Sequence, residues 1–264
     1  NGKPLPAGIV EKPAASLEAA LAGLMLLSGT QIAQRVTDRE SARTAERALW
    51  ASLKSSADGT VDRIFNRPCG RPLSKLLVGT PVSPNAVSIV SILIGLVAAG
   101  FFAAGNYTAA VIGALFFQLS AIVDCVDGDI ARVALKESPL GKWLDLAGDQ
   151  VVHVAVFGGI AWGLLRSGAE THALWLGASA ILGALLSFAV IVRGLSGAAG
   201  KGDGRLQKLI DSATNRDFSV LVLALAFLGK LEWFLWMTAI GSHLFWMTAL
   251  ALQFAPRATE KRLA

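Results

Sequence analysis

The chain has 264 residues, 53% of them apolar and 16% charged, with a mean hydropathy of +0.55, a net charge of +5 and a pI near 9.5. Soluble domains run to about 45–50% apolar and about 25% charged, and here the apolar residues fall in charge-free blocks at 86–107, 108–123 and 218–229. With roughly 20 apolar residues needed per membrane-crossing helix, these figures exclude a soluble enzyme, a disordered chain and a disulfide scaffold, and they fit an all-α polytopic membrane protein of about six spans.

Residues 1–57 read as a soluble, helical segment. The chain begins at Asn1 rather than Met, as a fragment or processed chain would, and the apolar run 17–27 is too short, carries Glu18 and lacks the basic lead-in of a signal peptide. Ser16 is placed to cap a helix with Leu17, Leu21, Leu24 and Leu27 on one face and a stop near Gly29. A second, polar helix is expected over 38–53. Across 58–80, Ile64, Phe65, Leu73, Leu76 and Leu77 alternate with Arg63, Arg67, Arg71 and Lys75. That pattern suits an amphipathic juxtamembrane helix on an anionic bilayer surface, and equally a solvated helix packed on the spans.

A six-helix domain is expected over 81–256, with spans at about 86–104, 108–126, 143–164, 172–192, 218–229 (short) and 233–254, followed by a basic tail at 257–264. Basic residues crowd alternate connections, including Arg132, Lys136, Lys142, Arg193, Lys201, Arg205, Lys208 and Arg216, while the opposite connections hold only Arg166 and Lys230. The positive-inside rule then places both termini in the cytosol, in a multi-pass protein of the cell (inner) membrane. Cys69 and Cys125 fall on that cytosolic face and are expected to be free thiols. The one long loop, 194–215, is Gly-rich and basic.

Acid is concentrated at one place. Asp124 and Asp127 are spaced i,i+3 and Asp145 and Asp149 i,i+4, so each pair shares one face of its helix. The first pair ends span two and the second starts span three, joined by a short turn containing Pro139 and Gly141. Four carboxylates at a membrane edge are costly and mutually repulsive. Arg132 alone cannot neutralise them, whereas a pair of hard divalent cations, Mg²⁺ or Mn²⁺, can. Gly128 lets a ligand approach the backbone, and Arg132 offers a planar fork to phosphate oxygens. The residue chemistry therefore points to metal-assisted phosphoryl transfer on a cytosolic substrate. Three other readings compete: helix-end carboxylates paired with basic loops, a cation transporter, and a catalytically silent membrane module. Transporters place such charges near mid-membrane on broken helices, unlike these.

Residues 124–149 read D-x-x-D-G-x-x-A-R, eight residues, then G-x-x-x-D-x-x-x-D, with Ser83-Pro84-Asn85-x-x-Ser88 opening the first span. This resembles the signature of the CDP-alcohol phosphotransferase (CDP-alcohol phosphatidyltransferase) family and its T-P-N-x-x-T opening, with serine for threonine twice; the likeness runs from about Asp58 to the end. The resemblance implies that Asp124, Asp127, Asp145 and Asp149 hold metal and that Asp149 also acts as general base on the acceptor hydroxyl. It implies that Asn85, Ser88, Gly128, Ala131, Arg132, Ser138 and Gly141 bind the CDP moiety, that CMP is released, and that the enzyme is a homodimer with no nucleic-acid partner. Glu46-Arg47-Ala48-Leu49, Asp58-Gly59 and Asn66-Arg67-Pro68, together with Asp129, resemble the joining region of enzymes fused to an inositol-phosphate cytidylyltransferase, making residues 1–45 a tail or remnant of that domain. That likeness implies CDP-inositol plus inositol 1-phosphate, giving a di-inositol phosphodiester. The alternative is a CDP-diacylglycerol-dependent phosphatidyltransferase of phospholipid synthesis. A phosphorylated acceptor needs cations, for which Arg193 and Arg216 are best placed, then Lys201, Arg205 and Lys208, although positive-inside anchoring explains them too. His153, one turn beyond Asp149, either supports the site or simply packs; His172 and His243 lack partners at metal spacing.

Overall fold

The structure, a computed structural model, describes residues 38–53, 59–168, 171–196 and 218–254, and the regular structure among them is all helical. Helix α1 (Arg39–Ser52) belongs to one compact unit, within Asn1–Lys54. Asp38 caps it: its carboxylate accepts from the Ser41 N–H at 2.7 Å, and the Ser41 hydroxyl accepts from the Asp38 N–H at 3.0 Å. The Ser41 backbone bond holds the Asp38 carboxyl below its ordinary pKa. The helix expected after Ser16 lies outside the described residues.

The second unit, within Ser55–Ala264, opens with a π-helical turn (Asp62–Asn66) that runs directly into α2 (Arg67–Val78). Then follow α3 (Pro84–Ala103), α4 (Tyr107–Val133), α5 (Pro139–Arg166), α6 (His172–Ser196), α7 (Phe218–Phe227) and α8 (Leu231–Phe254). Side-chain caps start three of them: Ser83, Asn106 and Ser138 accept from the backbone N–H three residues on, at 3.2, 2.9 and 3.0 Å. Proline at the first turn of α3 and α5 adds a pre-set φ where no N–H partner is needed.

Among the described residues five helices, α3, α4, α5, α6 and α8, are long and apolar enough to cross a membrane. The expected fifth span appears as α7, ten residues and so about 15 Å long, half a hydrocarbon core. The expected second span ended at 126, but α4 continues unbroken to Val133. Its 27 residues reach about 40 Å, so Asp127 to Arg132 ride on the same rigid helix as the apolar span.

Small residues let α3 and α5 approach closely. A Cβ added at Gly95 would lie 2.6 Å from a Val152 methyl carbon, and one at Gly159 or Gly163 would run into the backbone carbonyl of Ala99 or Phe102. Phe117, Val156, Ile160, Phe234 and Leu235 are almost fully buried between the helices. A second cluster, Val87, Val123, Val126 and Ile130, packs beneath Leu77 and Val78. It seats α2 against the ends of α3 and α4 where the acidic motif sits.

Candidate active site

Asp124 and Asp127 project from α4 and Asp145 from α5 so that one carboxylate oxygen of each lies within 4.8 Å of the others. Two oxygens bound to one Mg²⁺, Mn²⁺ or Ca²⁺ at about 2.0–2.6 Å sit at most about 5 Å apart. The trio therefore fits a hard divalent cation. Helix α3 orients two members: the Ser88 hydroxyl donates to Asp127 Oδ2, and the Ser91 hydroxyl donates to Asp124 Oδ1 at 3.4 Å. Ser120 in turn donates to the Ser91 carbonyl at 2.7 Å, tying α4 back to α3. Asp149 does not join the trio.

Beside the carboxylates lies a cleft of about 140 Å³ between the ends of α3, α4 and α5. Asn85, Ser88, Gly128, Ala131, Arg132, Ser138 and Gly141, the residues assigned to the nucleotide from the sequence, all line it, together with Asp127 and Asp145. Lys136, Glu137 and Lys142 line it as well, so the two lysines of the basic connection also face the cleft. Their proximity to Arg132 and Gly141 in the short turn was the available signal. Two glycines keep the walls thin: a Cβ at Gly128 would stand 3.0 Å from Arg132 Nη2, and one at Gly141 3.1 Å from Asn85 Oδ1. The turn closes through Leu135 at φ 52, with Lys136 N–H bonded to the Ala131 carbonyl and Leu135 N–H to the Arg132 carbonyl, a six-to-one and five-to-two pattern normally given to glycine.

Asp149 lines a second cavity, of about 290 Å³, open on one side and walled by α5, α6, α8 and Phe218. Gln150, His153, Ser187, Thr238 and Ser242 supply its other polar groups against an apolar lining. His153 stacks on Phe157 at 6.0 Å and meets Phe218 at 5.1 Å between ring centroids. Arg193, expected at the acceptor, is exposed and stands over the Phe254 ring, 5.1 Å from its centroid. Lys201, Arg205, Lys208 and Arg216 lie outside the described residues. His172 contacts Glu232 at 3.0 Å, and His243 lies between Ser179 and Trp246, so both are engaged away from the carboxylates. Both cysteines are free thiols.

A buried polar seam joins α2 to α4. Asn66 is fully buried, donates to Asp62 at 2.7 Å and accepts from Gln118 at 2.6 Å. Arg67, expected on a solvent- or lipid-facing basic stripe, is instead buried, because its guanidinium meets the buried Asp129 at 2.5 Å. An uncompensated charge in that position would be expensive. The pairing spans 62 residues, so helical periodicity within α2 had no means of showing it.

The family model described as CDP-alcohol phosphatidyltransferase matches residues 81–256. The chain is 36% identical over 118 residues to the bifunctional IPC transferase and DIPP synthase of Archaeoglobus fulgidus, covering 44% of this chain and 23% of that protein. It is 34% identical over 99 residues to the phosphatidylinositol phosphate synthase of Corynebacterium glutamicum, covering 36% and 43%. The matches thus span less than half the length of these curated relatives. The fold is similar to that of Mycobacterium tuberculosis phosphatidylinositol phosphate synthase solved with CDP-DAG bound, at TM-score 0.52 and 22% identity, covering 76% of this chain and 99% of that one.

Proposed function

This chain belongs to the CDP-alcohol phosphatidyltransferase family, and we propose that it couples CDP-inositol to inositol 1-phosphate, forming a di-inositol phosphodiester and releasing CMP. The observation that carries the transferase reading is the meeting of Asp124, Asp127 and Asp145 at the wall of a cleft lined by Arg132, Asn85, Ser88 and Ser138. Similarity to bifunctional IPC transferase and DIPP synthases supports the inositol substrates. The second reading, transfer from CDP-diacylglycerol, draws on the similarity to a phosphatidylinositol phosphate synthase.

Two divalent cations held by Asp124, Asp127, Asp145 and Asp149 would neutralise the diphosphate and stabilise departing CMP. The Arg132 fork takes a phosphate oxygen pair, while Asn85, Ser88, Ser138 and the thin walls at Gly128 and Gly141 seat the nucleotide. Asp149 faces the second cavity, which receives the acceptor; Gln150, His153, Ser187, Thr238 and Ser242 give it neutral hydrogen-bonding groups suited to a polyol. The acceptor hydroxyl gives its proton to the Asp149 carboxylate as its oxygen bonds to the phosphorus next to the donor alcohol, and the bond from that phosphorus to CMP breaks. Arg193, Lys201, Arg205 and Arg216 supply positive charge for an acceptor phosphate.

The enzyme works as a homodimer with six spans, α7 belonging to the short one among them. Both termini and the cleft face the cytosol, and α2 with the π-helical turn before it lies on the inner-membrane surface, where Ile64 of the turn and Leu76 of α2 are 73% and 70% exposed. Residues 1–57 form the tail of a cytidylyltransferase domain, residues 58–80 the juxtamembrane helix and 81–256 the catalytic domain. A screen of donor and acceptor pairs with Mg²⁺, reading CMP release and product mass, tests the assignment. CMP with di-inositol phosphodiester supports it; a phospholipid product selects the second reading; cation flux into liposomes without CMP release overturns both.

A further inference from the structure

Arg132 reaches the cleft from α4, yet a long side chain at a helix end holds no fixed direction unless something binds its far side. Asp129 does so. It is almost fully buried, one turn before Arg132, and its Oδ1 accepts from Arg132 Nη2 at 3.3 Å. The same oxygen accepts from Arg67 Nη1 at 2.5 Å, and Oδ2 accepts from the Ser74 hydroxyl at 3.2 Å. Arg67 and Ser74 lie two turns apart on the same face of α2, so Asp129 is clamped at both oxygens by an element outside the cleft. Arg67 and Arg132 are held against one carboxylate oxygen; without Asp129 the two guanidiniums would repel one another. Arg132 itself lines the cleft and its side chain is 29% exposed, so the guanidinium held by Asp129 is open to an anion there.

We infer that Arg67, through Asp129, is a positioning residue for the nucleotide cleft: it fixes the carboxylate that aims the Arg132 guanidinium at the diphosphate. Helix α2 thereby sets donor affinity without touching the donor. The inference rests on the reading of the cleft as a nucleotide site.

The test uses the full chain in detergent with Mg²⁺, CDP as the probe and calorimetry for affinity, with thermal unfolding measured beside it. Arg67→Ala and Asp129→Asn should each weaken CDP binding roughly tenfold, the scale of one misdirected charge-assisted hydrogen bond. Arg67→Lys, which keeps one cationic contact to Asp129, should hold CDP affinity within about threefold of the starting chain. The exchange Arg67→Asp with Asp129→Arg separates positioning from packing. It restores an ion pair between α2 and α4 but sets a cation beside Arg132. Unfolding temperature should recover while CDP affinity stays low. The exchange also carries the test if Arg67→Ala does not fold. Recovery of both properties in the exchange, or unchanged CDP affinity in folded Arg67→Ala and Asp129→Asn, overturns the inference alone. Failure of the unaltered chain to bind CDP overturns the nucleotide-site reading and this inference with it.

Discussion

Gly128→Ala sets stability and activity in opposition. Gly128 lies inside α4, where glycine costs about 1 kcal/mol relative to alanine. By that account the substitution stabilises the protein by up to about 1 kcal/mol. The new methyl carbon, however, would stand 3.0 Å from Arg132 Nη2 and 3.4 Å from Nη1, closer than carbon and nitrogen pack in comfort. The guanidinium is the free end of a flexible side chain, so it yields by a few tenths of an ångström at small cost to folding. What it gives up is aim: the 3.3 Å bond to Asp129 lengthens and the fork leaves the phosphate position. Loss of one directed, charge-assisted contact costs about 1.5–3 kcal/mol, or at least tenfold in kcat/KM, because each 1.4 kcal/mol is a factor of ten. Thermal unfolding in detergent should therefore show an equal or higher Tm, while CMP release with CDP-inositol falls at least tenfold in kcat/KM. Full activity with raised stability would refute the geometric account of Arg132.

Three further expectations follow from the same structure. Asp145→Asn, which removes one carboxylate of the trio, should lower Mg²⁺-dependent CMP release at least 100-fold, and chelation of the unaltered enzyme should do the same reversibly. Gly159→Ala forces a methyl group against the Ala99 carbonyl, which as backbone cannot turn aside; separating α3 from α5 should cost about 1–3 kcal/mol and lower Tm. Leu135→Gly should raise stability by about 1 kcal/mol, since Leu135 is 91% exposed and holds φ 52 at the turn after α4. Unchanged Tm in that variant would mean the turn carries no strain.

The acidic motif was legible because its information is local. Spacings of three and four put each aspartate pair on one helix face, and a short turn leaves two antiparallel helices no choice but to bring the pairs together. The grouping of the cleft residues was legible for a related reason: Gly128 to Gly141 straddle that turn, and Asn85 and Ser88 open the neighbouring helix. Spans were legible from apolar length, though the motif side of α4 was set too short, since charged residues at a membrane edge look like the end of a helix when read by hydropathy. That Asp149 also lines the neighbouring cavity was not legible. A spacing of four from Asp145 adds a full turn of rise, about 6 Å, and only the packing of α6 and α8 against α5 builds a cavity at that level.

Sequence alone determined what kind of molecule this is and where its acidic residues gather. Scarce charge in long apolar blocks requires membrane helices, and four carboxylates among them require cations. Only the tertiary structure decided which charges line the cleft. Arg67 and Arg132 are the same residue type, yet one is buried as a brace on Asp129 and the other lines the cleft. That division depends on contacts 62 residues apart, which helical period cannot encode, because burial of a charge is settled by the partner that folding brings to it.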